Sequence, residues 1–326
     1  MKHFCVALFA CMLLVGSNVT LGQTRDNDEP TDNGKGVNYG KEIVEYWQVG
    51  VRIKAIGGVC SGFMCTIPIP NDWHDQEIKL EDEQLSPHIR AVKYRVMDHG
   101  VRQMVVSIPR VQPDAEAKAL LTFEVRTKTI LPPNDTTIFK KAKRVPREVK
   151  IHTNPSPYIN NRSSNVRKKV KELVVDKENV WEEVKALYDF VHKDVGLTNT
   201  QKMVGSEATL REMKGIGEDK VNLFVALCRA HGIPCRIVWV RGHFYPEFFL
   251  HDDDDVGHWF PCEIVGTEDF GSYSKPRPIL QRGDNIKVPE KKERQRFVAE
   301  FLKGKRSPGK PQVTFVRQKV AKPMPQ

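Results

Sequence analysis

The feature that most restricts the fold is a change in the spacing of apolar residues near residue 165. Before it, apolar residues occupy every second position in stretches such as Trp47 to Ile53 and Ala119 to Val125. This period of two is typical of strands with one buried face. From Asn165 onward, apolar residues recur every three or four positions as far as Val191, as in amphipathic helices. The chain therefore predicts a β-rich part followed by a part that opens with helices.

We expect two domains in a chain of 326 residues, because a single hydrophobic core seldom stabilises so many residues. We predict a β-sandwich-like domain over residues 42–131, a linker over 132–160 and an α+β domain over 161–286. The linker contains Leu131-Pro-Pro-Asn-Asp and Asn154-Pro-Ser-Pro, and a residue before proline is biased towards extended backbone.

In the predicted α+β domain, helices come first and an antiparallel sheet follows. The last helix is expected over residues 219–231, with Gly232 and Pro234 ending it. Three strands are then expected near 236–240, 245–250 and 259–265.

The first 22 residues have the layout of a secretory signal peptide. Lys2 and His3 precede an apolar run from Phe4 to Val15, and small and polar residues follow up to Gly22. We therefore expect cleavage near Gly22 and an exported protein, periplasmic, extracellular or on the cell surface, with an uncleaved anchor as the alternative. Residues 23–41 predict a disordered spacer, because they offer almost nothing to bury. No later run of about 20 apolar residues occurs, so a transmembrane protein is not expected.

The net charge of +10 suggests a nucleic-acid partner until the charges are located. Residues 287–326 hold twelve Lys and Arg against three acidic residues, so nearly all the excess lies in one segment. The segment contains prolines and shows no interleaved aromatic platform for base stacking. We expect a basic tail that is solvated or weakly bound to an acidic surface, without specific nucleic-acid binding. On this interpretation, deletion of residues 304–326 leaves thermal stability nearly unchanged.

Five cysteines remain after removal of a signal peptide: Cys60, Cys65, Cys228, Cys235 and Cys262. A tight turn between Cys60 and Cys65 would bring them within disulfide distance in an oxidising compartment. The sequence is compatible with this bridge and with two free thiols. A zinc site is not expected there, because a second pair of ligands is missing.

Three motifs in the second domain resemble a known family. The run from Gly215 to Arg236 begins Gly-Ile-Gly-Glu-Asp and ends Arg-Ala-His-Gly-Ile-Pro-Cys-Arg. It is similar to the core of transglutaminase-like, papain-type domains, in which Gly-x-Cys-x-Asp/Glu opens a helix that ends in Arg-Ala-x-Gly-Ile-Pro-Ala-Arg. Gly242-His-Phe-Tyr-Pro-Glu resembles the family's Gly-His-Ala-Trp-x-Glu strand, and Trp259-Phe-Pro-Cys-Glu resembles its Trp-x-Pro-x-Asp segment. The resemblance extends over about residues 160–285.

The resemblance implies thiol chemistry and, at the same time, a departure from it. In the family, a cysteine at a helix start is activated by backbone N–H groups and the positive helix end. A histidine takes its proton, and an acid orients the imidazole. Carried over position by position, the nucleophile falls on Gly217, the base on His243 and the acid on Glu263. Glycine has no side chain with which to attack, and Glu263 is longer than the family's Asp by one methylene.

The other candidate residues are interpreted mainly as structural. The three cysteines of the second domain lie too far along the helix or in strands to replace the thiol, and we expect them to be small buried residues. His258 is expected to flank a turn. The run Asp252–Asp255 either binds calcium or forms a solvated hairpin turn, and its place between two strands favours the turn. His243 is either a functional group or simply a hydrogen-bonded strand residue.

Three functional hypotheses follow, and Gly217 favours the first. The first is a catalytically degenerate domain that retains a cleft for a peptide, a protein or a cell-wall polymer. The second is an active thiol hydrolase or acyl transferase with a displaced nucleophile, or an enzyme in which His243 and Glu263 activate water. The third is a structural or cell-surface protein held by its basic tail. The sequence predicts no cofactor and no metal, and it leaves the oligomeric state open.

Overall fold

The computed structural model describes residues 34–324. The strands in chain order are β1 (Asn38–Ile56), β2 (Cys60–Ile69), β3 (Gln76–Leu85), β4 (Ala91–Val96), β5 (Arg102–Val111), β6 (Glu116–Leu131), β7 (Gly196–Leu197), β8 (Lys214–Gly215), β9 (Cys235–Val240), β10 (His243–His251), β11 (Gly257–Pro261), β12 (Ile279–Arg282), β13 (Phe301–Lys303) and β14 (Lys310–Val320). The helices are α1 (Arg147–Lys150), α2 (Ser164–Val174), α3 (Val180–Asp189), α4 (Ser206–Glu212) and α5 (Gly217–Ala230).

The first part of the molecule consists of two four-stranded antiparallel sheets, ordered β14-β1-β6-β3 and β13-β2-β5-β4. The register of β1 and β6 places Trp47 opposite Phe123 and Val51 opposite Ala119. Alternate side chains of these strands share one apolar core with residues of β2 and β5, because each sheet covers one face of the other. The prediction of a β-sandwich-like first domain is confirmed.

The C-terminal segment contradicts the prediction of a solvated basic tail. β13 pairs with β2, and β14 pairs with β1 over eleven residues, from Tyr46 opposite Val320 to Ile56 opposite Lys310. Val313 and Phe315 pack against the sandwich core. Apolar residues therefore occupy alternate positions of this positively charged strand. The end of the chain therefore completes the first domain.

The second part packs helices against an antiparallel sheet ordered β11-β10-β9-β12. α5 is its central helix, and every residue from Asp219 to Arg229 is buried because α2, α3 and α4 contact it together with β9 and β10. The helix ends at Ala230, and Gly232, two residues on, has a φ of +82° that lets the N–H of Ile233 donate to the carbonyl of Cys228. The predicted α+β class is confirmed.

Two segments expected to be irregular are partly ordered against this second part. The predicted linker, residues 132–160, contains α1 and places the buried Phe139 in the helical core. The predicted disordered spacer ends earlier than expected, because Lys35 forms ion pairs with Asp253 and Asp254 and β1 begins at Asn38. The predicted signal peptide, residues 1–22, lies outside the described residues.

The disulfide hypothesis for Cys60 and Cys65 is wrong, because the two residues belong to one continuous strand instead of flanking a turn. They lie opposite Val111 and Val106 of β5, and both thiols are free and buried. Burial raises the pKa of the Cys65 thiol to about 12. Between residues 34 and 324, no helix is both long and apolar enough to cross a membrane.

Candidate functional site

The N-terminus of α5 is held in place by a buried carboxylate. Asp219, in the first turn, accepts hydrogen bonds from the backbone N–H groups of Val204 (3.0 Å) and Gly205 (2.8 Å). It therefore ties the loop before α4 to the helix, beyond the favourable interaction of an acidic residue with the helix dipole. The residue before the helix, Ile216, is extended and provides no side-chain cap. The first N–H groups of α5 thus have no capping side chain.

The predicted base and the predicted orienting acid are brought together at one end of the β10–β11 hairpin. His243 begins β10, and Glu263 follows β11 by two residues. Nε2 of His243 lies 2.6 Å from Oε2 of Glu263, and Oε1 accepts the N–H of Val265 at 3.0 Å. The glutamate side chain is 8% exposed and the imidazole 20%, so the pair is shielded but within reach of a ligand. The longer acid still makes the contact.

The predicted nucleophile position faces the same strand ends. Gly217 is the first residue of α5, and a Cβ there would lie 3.4 Å from Cγ2 of Val265 and 3.7 Å from Cζ of Phe244. Phe244 follows His243 directly, and Val265 is the residue whose N–H is bonded to Glu263. The backbone of Gly217 is helical with negative φ, so glycine is not required there by conformation.

The cysteines of the second domain do not reach this position. Cys228, Cys235 and Cys262 are all fully buried in the helical core. Burial raises the pKa of the Cys228 and Cys262 thiols well above the ordinary value, which suppresses the nucleophilic thiolate. The expectation that they are small buried residues agrees with their placement.

A cavity of about 580 Å³ opens beside His243. Of its lining residues, the sequence predicted only His243 as a site residue, while Glu218, Gly242 and Phe244 lie in the motifs that carry the resemblance. The others come from β1, β9, β12, the β9–β10 turn and the C-terminal segment: Trp47, Trp239, Val240, Arg241, Leu280, Arg296, Phe297 and Arg317. Two of the three arginines belong to the segment that was predicted to be a solvated tail. The tail's alternating Val313 and Phe315 were the signal that could have revealed this.

A second cavity of about 590 Å³ lies elsewhere, between the β4–β5 connection and α1. Its imidazoles, His99 and His152, have ring centroids 4.9 Å apart, and burial lowers the pKa of both. Arg229 and Asp284 form a fully buried ion pair at 2.6 Å on its wall. Arg229 belongs to the first motif, but none of the three positions carried over as catalytic, Gly217, His243 and Glu263, lies on its lining.

The acidic run Asp252–Asp255 forms the turn between β10 and β11. Asp252 is buried and accepts the N–H groups of Asp254 and Val256, each at 2.9 Å, while Oδ2 lies 2.9 Å from Nε2 of His258. The hairpin-turn interpretation describes this geometry, and His258 flanks the turn.

Comparison with known proteins identifies the fold of the second part. Residues 167–264 match the family described as the transglutaminase-like superfamily. A search of curated protein sequences finds no match.

One solved structure extends the likeness in fold across most of the chain. A candidate cysteine protease from Cytophaga hutchinsonii has a TM-score of 0.55 and 13% identity, over 89% of this chain and 94% of that one. A candidate protease from Parabacteroides distasonis has a TM-score of only 0.27 and 12% identity, over 70% of this chain and 48% of that one, which is too low to bear on the fold. The resemblance predicted from the three motifs is confirmed over residues 167–264, which are similar to the transglutaminase-like superfamily.

Proposed function

We propose that this protein is a peptide-binding protein whose transglutaminase-like domain lacks a thiol nucleophile and uses the cleft beside His243 as its binding site. The observation that carries the proposal is Gly217 at the start of α5, beside the strand ends that hold His243 and Glu263. A cysteine here would combine the helix dipole with a nearby imidazole. Glycine leaves the remaining groups without an attacking atom.

Loss of the nucleophile has a large expected consequence for catalysis. Removing the nucleophile from a comparable triad costs on the order of a million-fold in rate, and what remains reflects binding and electrostatic stabilisation. The cleft itself does not depend on the missing sulfur, because strands, helix and C-terminal segment form its walls. Peptides are the favoured ligand class since proteins and peptides are the usual substrates of transglutaminase-like domains.

The test is labelling with iodoacetamide at pH 6, followed by mass spectrometry of each cysteine. We expect the three cysteines of the second domain to label more slowly than in the unfolded protein, because they are buried. Fast labelling of any of them that is lost in His243→Ala would overturn the proposal and support a displaced nucleophile.

A second candidate function is hydrolysis by water that His243 and Glu263 activate, and the 2.6 Å contact between Nε2 of His243 and Oε2 of Glu263 favours it. A fluorogenic casein assay distinguishes the two. We expect no hydrolysis above the level of His243→Ala. Hydrolysis by the natural protein that disappears in this variant would establish the catalytic alternative.

Export remains part of the proposal and is supported by the composition of residues 1–22. Expression of the full chain followed by cell fractionation and N-terminal sequencing tests it. We expect a mature N-terminus near residue 23 outside the cytoplasm. An intact Met1 in the cytoplasmic fraction would contradict export without affecting the binding proposal.

A further inference from the structure

The cleft beside His243 is lined by arginines that lie over aromatic rings. The guanidinium of Arg296 is 5.1 Å from the ring centroid of Trp239, and that of Arg317 is 5.7 Å from the ring of Phe297. Arg241 stands 5.7 Å from the ring of Trp47. Such stacking holds the guanidinium planes while leaving their edges free to donate hydrogen bonds.

Several donors in this lining have no acceptor among residues 34–324. Within that range, Nε of Arg241, Nε and Nη2 of Arg296 and Nε1 of Trp47 are buried without a hydrogen-bond partner. The Arg296 side chain is only 9% exposed, and its nearest carboxylate oxygen, Oε2 of Glu218, is 3.6 Å from Nη2, beyond hydrogen-bond distance. All four unpaired atoms are donors. A ligand that offers only acceptors is their complement, and an ionised carboxylate is such a group.

The charge of the lining also favours an anionic ligand. Burial lowers the pKa of the Arg296 guanidinium, so an anion beside it is favourable to the folded protein. Arg241 and Arg317 are 41% and 36% exposed at the mouth of the cleft, and their carboxylate partners, Glu45 and Glu300, are 3.5 and 3.4 Å away. These loose contacts leave donors available to a ligand. Among the residues that the structure describes, Glu218 is the one acidic residue that lines the cavity itself.

We propose that the cleft recognises acidic peptides, with an Asp or Glu carboxylate of the ligand received by Arg241, Arg296 and Arg317 and its neighbouring side chains packed on Trp239 and Phe297. The proposal rests on the proposed function, since it names the class of peptide bound at the same site. Glu218 occupies the place of the ligand carboxylate near Arg296 when the cleft is empty, and the ligand displaces it. Binding therefore competes with an internal acidic side chain.

The experiment compares two end-blocked, fluorescein-labelled peptides, Ala-Glu-Phe-Glu-Ala and Ala-Gln-Phe-Gln-Ala, by fluorescence anisotropy at low salt. Charge-assisted hydrogen bonds predict that the acidic peptide binds at least about tenfold more tightly than the amide peptide. The natural protein alone decides this point, so the result does not depend on the folding of any variant.

Three variants, checked for folding by circular dichroism, locate the interaction. Arg241→Gln combined with Arg317→Gln is expected to weaken the acidic peptide about tenfold and to leave the amide peptide within about twofold. Glu218→Gln removes the competing carboxylate and is expected to strengthen the acidic peptide by about threefold. The matched control is Arg126→Gln, because Arg126 is also half-exposed and ion-paired to Glu42 and Glu124 but does not line the cleft.

Each other outcome has a defined meaning. Equal affinity for the two peptides overturns the acidic preference and leaves the peptide-binding function standing. Failure of both peptides to bind counts against the proposed function itself. Binding of labelled polygalacturonate but of neither peptide overturns the assignment to peptides in favour of an anionic polysaccharide. Loss of acidic-peptide affinity in Arg126→Gln as large as in the cleft variant contradicts the location.

Discussion

Two histidine–carboxylate pairs stand at opposite ends of the β10–β11 hairpin and differ in their surroundings. At one end, His243 and Glu263 lie 2.6 Å apart beside the cavity, and the imidazole is 20% exposed. At the other end, His258 and Asp252 lie 2.9 Å apart, with side chains 7% and 0% exposed. The chain at Gly36 covers His258 so closely that a Cβ there would overlap with Nδ1 of the imidazole.

The difference between the pairs lies in what each carboxylate does. Asp252 also receives two backbone N–H groups of the turn, so it is part of the hairpin's own structure. Glu263 receives one, and its histidine is directed to the border of a cleft near the start of a buried helix. A histidine beside an acid is therefore not a site by itself. Exposure to a cleft and the neighbouring helix start distinguish the candidate site from the structural pair.

In the part of the chain that the structure describes, only the His243 end of the β10–β11 hairpin lies beside a cleft that contains residues of the C-terminal segment. Deletion of that segment is the change from which we expect the largest effect. Deleting residues 304–326 removes β14, its eleven-residue pairing with β1, and Arg317 from the cleft. We expect the melting temperature to fall by more than about 10 °C, because several kcal/mol of sheet pairing and core cover are lost. Thermal unfolding followed by circular dichroism measures this.

The control for that deletion is removal of residues 321–326, which begin after β14 ends and should leave the melting temperature nearly unchanged. An equally small change for both deletions would restore the prediction of a solvated tail. It would also contradict the placement of Arg317 in the lining of the cleft.

Introducing a thiol at Gly217 gives the next largest effect and separates the two histidines. We expect Gly217→Cys to react with iodoacetamide at pH 6 on the order of 100-fold faster in the presence of His243 than with His243→Ala, because a helix start and an imidazolium lower a thiol pKa. His258→Ala, in the same Gly217→Cys background, should change the rate by less than about twofold. Stopped alkylation with mass spectrometry gives the three rates.

Two results would contradict this comparison. A Gly217→Cys thiol that reacts no faster than an ordinary cysteine would show that the family's nucleophile position does not fall on residue 217. Equal sensitivity to the two histidine substitutions would show that the effect is not local to the cleft.

The sequence alone was sufficient to predict the fold class and to name the candidate residues Gly217, His243 and Glu263. A period of two, followed by helical spacing, depends only on local side-chain direction, and it predicted both domains. The motifs named His243 and Glu263, whose side chains lie 2.6 Å apart, because the family resemblance supplied the spacing of both segments. The roles of these two residues and of Gly217 stay a prediction.

The outer part of the cleft could not be predicted in this way. Trp47 belongs to the first domain, and Arg296, Phe297 and Arg317 come from a segment whose positive charge obscured its strand pattern. These four residues come close to Trp239 only through long-range strand pairing, which local periodicity does not encode. Nothing in the sequence distinguished an arginine that packs over an aromatic ring from one that is solvated.

The smallest expected effect tests the structural role assigned to Asp252 against the role assigned to Glu263. Asp252→Ala leaves one buried imidazole and two partly buried backbone N–H groups without their acceptor, and we expect the free energy of unfolding to fall by about 3 kcal/mol. Glu263→Ala leaves one N–H and a partly exposed imidazole, so the expected loss is about 1 kcal/mol. Urea unfolding measures both.

The control is Asp253→Ala, an exposed neighbour paired with Lys35, which should change the free energy by no more than about 0.5 kcal/mol. Equal losses for Asp252→Ala and Glu263→Ala would mean that both pairs hold the hairpin together, and the contrast between a structural and a functional pair would then fail.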